Sequence, residues 1–208
     1  MYAPKYNQEK DWQNVAAFIR EHSFGLLIST RDGVPEGTHI PMELEEKAPG
    51  EFVITGHISK ANLQWQSFTS DQTFLAIFTS PHAYISGSWY EEDRVPTWNY
   101  MAVHVYGKIR VLNNDEMDAL LENLVNRYEH GRPNRVHVQD IDAGEMASMK
   151  KAIVGFELSI TGVHTRFKLS QNRHRADYQH VIDHLKEQGD EQAAFIANEM
   201  EKREKPTH

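Results

Sequence analysis

The segment from Trp98 to Val111 constrains the fold of this chain more than any other, because its side chains alternate strictly in character. A period of two over this length is typical of a long β-strand whose two faces meet different environments. The apolar face, expected to point into a core, carries Met101, Val103, Val105, Ile109 and Val111. The opposite face carries Trp98, Tyr100, His104, Tyr106, Lys108 and Arg110. This aromatic and basic face suits a flat anionic ligand or the surface of a second subunit.

The remaining periodicities predict a mainly β chain with helices, an α+β fold. Strands are predicted over 24–30, 37–44, 51–56, 73–79, 83–86 and 153–163, with Pro81 breaking the fourth from the fifth. Helices are predicted over 9–21, 60–68, 114–130, 142–151 and 178–202, the second of them capped by Ser59. Because the helices are inserted between hairpins and do not alternate strictly with strands, an antiparallel barrel is favoured over a doubly wound sheet.

Composition excludes several classes of protein. The chain has 208 residues and no cysteine, which suits one domain and excludes disulfides, thiolate metal sites and cysteine nucleophiles. Its net charge of −8 and its lack of a helix-turn-helix or zinc-finger pattern mean that any DNA binding needs a local basic patch or a partner protein. The first residues lack the apolar core of a signal peptide, and no apolar run approaches the ~18 residues of a membrane span. A cytoplasmic location is expected.

Two segments are candidate anion sites. In the first, from Thr55 to Asn62, a strand ends and a hydroxyl and a lysine precede a predicted helix, an arrangement that can bind phosphate. A simple helix cap followed by a solvated lysine is the better interpretation from spacing alone. The second, from Arg166 to Arg175, concentrates four cations in an acidic chain. An anion site and a solvated basic loop are equally good interpretations of it.

Histidines give weaker signals. His39 follows a strand pattern and either lines a ligand plane or is simply hydrogen-bonded in place. His180 and His184 share a face of a predicted helix, but no third ligand accompanies them. We therefore expect no metal site. The chain also lacks the glycine-rich phosphate-binding loops and the nucleophile elbow that would identify a familiar enzyme class.

Several segments in this order resemble the PaiB family of FMN-binding split-barrel proteins. The resemblance covers nearly the whole chain and is carried by residues 1–4, 56–65, 84–90, 95–100, 103–107 and 168–173. The typical family has His-x-Ala-Arg-x-Asn-Pro-x-Trp in the second of these segments. Here Ser59-Lys60 replaces Ala-Arg and Leu63 replaces Pro, so the basic charge is kept. Ser86-Gly87-Ser88 replaces the more usual Ser-Pro-Ser.

The resemblance implies a single FMN-binding split-barrel domain over 1–208, a Greek-key antiparallel barrel of six strands with a helical C-terminal extension over about 170–208. It further implies a homodimer that binds two FMN molecules in interface grooves. Ser59 and Lys60 would lie near the phosphate, and Thr38, His39 and Ile40 along the flavin ring. Further cofactor-binding residues would be Trp98 and, from the other subunit, Lys168, Asn172 and Arg173. No catalytic residue follows from the resemblance.

Two functions are compatible with this family. PaiB-type proteins are negative regulators of transcription that affect protease synthesis and sporulation, and in this reading FMN is a ligand or a sensor. Related split-barrel proteins are FMN-dependent oxidoreductases or haem-degrading enzymes. Turnover with NAD(P)H or haem would favour an enzyme, whereas salt-sensitive binding to a promoter, directly or through a DNA-bound partner, would favour the regulator.

Overall fold

The computed structural model describes residues 1–68, 71–92 and 94–203, and within these it contains six β-strands and five α-helices. The strands are β1 (Phe24–Arg31), β2 (Val34–Ala48), β3 (Glu51–Ser59), β4 (Phe74–Ile85), β5 (Thr97–Val111) and β6 (Ile153–Lys168). The helices are α1 (Trp12–Glu21), α2 (Asn114–Glu129), α3 (Ala143–Lys151), α4 (Arg175–Glu187) and α5 (Glu191–Glu201). The strands close into a barrel in the order β1-β2-β3-β6-β5-β4. The predicted antiparallel barrel is thereby confirmed.

Tight turns set the register of the first hairpins. Asp32 and Gly33 both have positive φ, 52° and 78°, which is the backbone of a two-residue turn that matches strand twist. This turn pairs Leu27 with Thr38 across β1 and β2. The β2–β3 pair carries a bulge between Glu46 and Ala48, and β3 then pairs antiparallel with β6.

The alternation of burial along β5 is confirmed except at Val111 and at Ala102, which is buried although it lies on the opposite face. The apolar side chains from Met101 to Ile109 are buried, whereas Val111 is exposed where the strand ends. Asn99 is fully buried on the core side, where its amide hydrogen-bonds Ser170 Oγ at 2.9 Å. A buried polar group of this kind needs a partner, and Ser170 supplies it.

Three details of the predicted strands are wrong. Pro81 does not interrupt β4, because the neighbouring Ser80 hydroxyl accepts a hydrogen bond from the Met101 N–H at 3.0 Å and so continues the pairing. The apolar sequence of 24–30 predicts a buried strand, but Phe24, its first residue, has 66% of its surface exposed and is not part of the core. The sequence 153–163 alternates between apolar and polar residues and predicts Glu157 on the solvent face, but Glu157 is buried, with Arg110 Nε 3.0 Å from its carboxylate.

The helices differ from prediction at their ends. Helix α1 starts at Trp12, not at residue 9, because Asp11 caps it. The stretch 178–202 is two helices, since Gly189 adopts φ +68° and Asp190 caps the second. The prediction for 60–68 is also wrong. That segment contains a 3-10 turn at Leu63–Ser67, and its cap is Asn62, not Ser59.

The predictions for α2 and α3 are confirmed within a residue at each end. Asn113 and Glu116 form a reciprocal capping box at the start of α2, and Asp142 accepts two backbone N–H bonds at the start of α3.

The chain forms two compact units. One comprises Met1–His22, Ile77–His104 and the residues from Val163 onward, and the other comprises Ser23–Ala76 and Val105–Gly162. In the first unit Phe18 packs on Phe167 with ring centroids 5.0 Å apart. In the second, Phe68 stands edge-on to Phe74 at 5.6 Å. The expectation of one domain over 1–208 stays a prediction.

Candidate functional site

Thr38, His39 and Ile40 follow one another along β2 and differ in access. Thr38 is half-buried and His39 is exposed, with its ring stacked 6.4 Å from that of Phe24. The Ile40 side chain is buried in the core. Thr38 and His39 are therefore the accessible side chains among the three residues that the family resemblance assigns to the flavin ring.

The segment at Ser59 and Lys60 can offer a phosphate the ammonium group of Lys60, but no helix begins there. The Lys60 N–H donates to the Ala152 carbonyl at 2.8 Å, and the Asn62 N–H donates to the Ser59 carbonyl at 2.9 Å. The Ser59 hydroxyl accepts from the Ala61 N–H at 3.3 Å. Because these backbone donors are already engaged, a phosphate contact here relies on the side chains.

Lys60 borders a cavity of about 500 Å³ together with Lys150 and Lys151. Apolar side chains, including Met117 and Ile153, also line it. Lys150 is paired with the carboxylate of a nearby aspartate on α2. The Lys60 side chain is exposed, so solvent screens its charge.

Trp98 lies in an aromatic cluster on β4 and β5. The residue is 51% exposed, and its ring centroid lies 5.5 Å from those of both His82 and Tyr84. With Tyr100 and Met101 it borders a cavity of about 350 Å³. This surface is a platform for a planar ring or for an apolar partner surface.

Lys168, Asn172 and Arg173 are brought together at the end of β6. They line one cavity of about 200 Å³, and Arg166 is on the same wall. The full lining is Pro4, Tyr6, Asn7, Val95, Pro96, Thr97, Arg166, Lys168, Ser170, Asn172 and Arg173. Three of these described residues are cations and none is a carboxylate.

The charges in this cavity repel one another. Burial lowers the pKa of the Lys168 ammonium, and the nearby Arg166 and Arg173 lower it further. The Nε of Arg166 is buried and has no hydrogen-bond partner within the described chain, while the Arg173 guanidinium lies 4.0 Å above the Tyr90 ring. Lys168 Nζ donates to the Thr97 hydroxyl. A phosphate-sized dianion would offset the repulsion and satisfy the buried donor.

Ser170 shapes this cavity through the backbone. Its φ of 60° is left-handed, which is uncommon for a residue other than glycine. The Asn99 amide holds its hydroxyl at 2.9 Å, so a buried side chain of β5 fixes the bend between Lys168 and Asn172.

Several of these residues were missed by sequence reasoning. The sequence places Arg166 only in a basic segment, although its position two residues before Lys168 puts it on the same side of a strand. Asn99 has a signal, since it is a polar residue on the apolar side of the β5 alternation. Gln64 and Asn62, whose side chains hydrogen-bond the Thr38 hydroxyl, have no such signal, because a neutral amide in a turn is commonly solvent-exposed.

The histidine pair, His180 and His184, lies on α4. His184 stacks on Trp89 with ring centroids 5.1 Å apart and lies 3.3 Å from the Glu187 carboxylate. No group of three His, Cys, Asp or Glu side chains in the described ranges is arranged to hold a metal ion. No helix in the described part of the chain is long and apolar enough to cross a membrane.

Structural comparison places the fold among flavin-binding proteins. An FAD- and haem-binding protein from Mycobacterium smegmatis superposes with a TM-score of 0.60 at 14% identity, over 78% of this chain and 73% of that one. A flavocytochrome from Azotobacter vinelandii gives a TM-score of 0.61 at 17% identity, over 80% and 72% of the two chains. At these identities the likeness shows the fold alone.

Sequence comparison gives the family. Residues 1–162 match the profile of the putative FMN-binding domain. The chain is 39% identical over 201 residues to the "Protease synthase and sporulation protein PAI 2" of Bacillus subtilis, covering 97% of each chain. FMN is thus supported as the cofactor. The cavity lined by Arg166, Lys168 and Arg173, called the cation cavity below, fits the phosphate of such a ligand. The chain therefore belongs to the putative FMN-binding domain family, in the PaiB branch that its motifs resemble.

Proposed function

We propose that this chain is a cytoplasmic, homodimeric FMN-binding regulator of the PaiB type, which represses genes for protease synthesis and sporulation. The observation that carries this proposal is the 39% identity over 97% of both chains to the Bacillus subtilis protein whose name refers to those two processes. Coverage of this extent means that the likeness includes the C-terminal helices as well as the barrel.

FMN, when bound, supplies a redox-sensitive ring and a dianionic phosphate. In the proposal each ligand is held by two subunits. Thr38, His39, Ile40, Ser59, Lys60 and Trp98 are assigned to binding it from one subunit, and Lys168, Asn172 and Arg173 from the partner. The unpaired buried Nε of Arg166 and the absence of carboxylates among the described residues lining the cavity support a phosphate next to Lys168.

Exposed aromatic side chains support the homodimer. Phe24 is 66% exposed and Trp98 is 51% exposed, and Tyr84 lies beside Trp98 with half of its surface accessible. Burying such rings in a second subunit is favourable at about 25 cal/mol per Å² of apolar surface. Light scattering at micromolar concentration is expected to give the mass of two chains, and a monomer would contradict the proposal.

Promoter occupancy is the decisive test of the regulatory role. Chromatin immunoprecipitation is expected to recover promoters of secreted-protease genes, and purified protein is expected to bind those fragments more weakly as salt rises. Recovery from cells without binding in vitro would indicate a DNA-bound partner protein. If no promoter is enriched and the flavin-loaded protein steadily oxidises NAD(P)H or degrades haem, the regulator is refuted and the enzyme is favoured.

A further inference from the structure

A buried glutamine fixes the hydrogen-bonding state of Thr38. Gln64 lies in the 3-10 turn after β3 and is 2% exposed. Its Nε2 lies 3.1 Å from the Leu27 carbonyl and 3.2 Å from the Glu36 carbonyl. Carbonyl oxygens only accept hydrogen bonds, so this atom of the side chain is the nitrogen and the amide orientation is determined.

The Gln64 orientation determines where the Thr38 proton points. Gln64 Oε1 lies 2.6 Å from Thr38 Oγ1. An amide oxygen has no hydrogen to give, so the Thr38 hydroxyl is the donor.

Asn62 occupies one acceptor position of the same hydroxyl. Asn62 Oδ1 accepts the Gln64 backbone N–H at 3.0 Å, which makes the other atom of that amide the nitrogen. This Nδ2 donates to Thr38 Oγ1 at 2.9 Å. A hydroxyl has one hydrogen and two lone pairs, so within the described residues one lone pair of Thr38 remains for a ligand.

We infer that Thr38 meets its ligand as a hydrogen-bond acceptor only and therefore selects a ring N–H. This rests on the proposed function, in which the flavin ring lies along Thr38 and His39. Oxidised isoalloxazine has a single ring N–H, at N3, whereas N1, N5 and both carbonyl oxygens accept. Thr38 is thus a specificity-determining residue that accepts from flavin N3–H, and Gln64 and Asn62 are the residues that position it.

The first measurement needs neither ligand nor variant. In the apo protein the Thr38 hydroxyl proton is expected to exchange slowly with water, and to show a nuclear Overhauser effect to the Gln64 side chain. Fast exchange of that proton, with no such effect, would overturn the fixed polarity.

The second measurement reads the flavin. With ¹⁵N-labelled FMN bound, the N3–H proton is expected downfield of its value in water, and to move back upfield in Thr38→Val. Thr38→Ser keeps the hydroxyl and is expected to retain the wild-type shift. FMN binding should weaken by about three- to tenfold in Thr38→Val, the effect of losing one neutral hydrogen bond.

The outcomes separate the two proposals. If the wild type binds FMN but the N3–H shift is the same in Thr38→Val, this inference is refuted and the FMN-binding proposal stands. If the wild type binds no FMN, the proposed function fails and the assignment of N3–H fails with it.

Discussion

Replacing Lys168 by alanine is expected to weaken FMN binding strongly while leaving riboflavin binding almost unchanged. Lys168 is half-buried in a cavity of about 200 Å³ and shares that cavity with two arginines. Riboflavin has the same ring system as FMN but lacks the phosphate. A difference between the two ligands therefore isolates the phosphate contact from general damage to the protein.

The size of the effect follows from the burial of the lysine. A charge-assisted hydrogen bond contributes about 1.5–3 kcal/mol, and 1.4 kcal/mol corresponds to a factor of about ten in affinity. Lys168→Ala should therefore weaken FMN binding by about ten- to a hundredfold. Lys60 is exposed, and exposed charge pairs contribute about 0.2–1 kcal/mol. Lys60→Ala should therefore cost at most about fivefold, again for FMN and not for riboflavin.

Titration of both flavins into wild type, Lys168→Ala and Lys60→Ala, followed by flavin fluorescence, measures these ratios. Lys186→Ala is a suitable control, because Lys186 borders neither the cavity at Lys60 nor the cavity at Lys168 and pairs with Glu201 at 2.6 Å. Equal losses for FMN and riboflavin in Lys168→Ala would refute the phosphate contact. A larger loss in Lys60→Ala than in Lys168→Ala would show that the phosphate lies at the end of β3 instead.

Three further predictions concern stability. Gly107→Ala should be destabilised by about 1–3 kcal/mol or more in urea unfolding, because the new Cβ would lie 2.4 Å from a backbone carbonyl oxygen of β6. The control Gly162→Ala should match the wild type, because the space around Gly162 is open. Tyr128→Phe should lower the free energy of unfolding by about 1.5–3 kcal/mol in the same assay, because the Tyr128 hydroxyl donates at 2.6 Å to the buried Glu43 on β2. A loss below about 0.5 kcal/mol would contradict this. Hydrogen bonding to Arg110 lowers the pKa of Glu116 to about 2, so stability should fall as pH drops from about 4.5 towards 2, and Glu116→Gln should flatten that dependence.

The strands were predictable where burial alternates locally. The period of two in β5 involves only neighbouring residues, so it can be recognised without knowing any contact between distant parts of the chain. The continuity of β4 past Pro81 was not predictable, because the Ser80 hydroxyl next to the proline accepts a hydrogen bond from the backbone N–H of Met101, a residue 21 positions away. Similarly, Glu157 is buried because Arg110 faces it, and a sequence shows neither the pairing nor the register that brings them together.

The parts of the candidate site that could be predicted are those whose residues lie close together in the sequence. Lys168, Asn172 and Arg173 lie within six residues, so one bend places them in one cavity. The helix predicted from Lys60 does not form, because a residue far along the chain determines the local structure there. The Lys60 N–H is taken by the Ala152 carbonyl, a partner 92 residues away, and the chain becomes helical only after Asn62.

The two groups of site residues bind by different physics under the proposed function. Around Thr38 every partner is a neutral amide or carbonyl in fixed orientation, so recognition there depends on direction and is little affected by salt. Around Lys168 the interactions are between charges, so they fall with distance and are screened by salt. The neutral network is suited to distinguishing one ring edge from another, and the cation cavity to holding a phosphate. Under the proposed function, FMN meets the neutral network of one subunit with its ring edge and the Lys168 cavity of the second subunit with its phosphate.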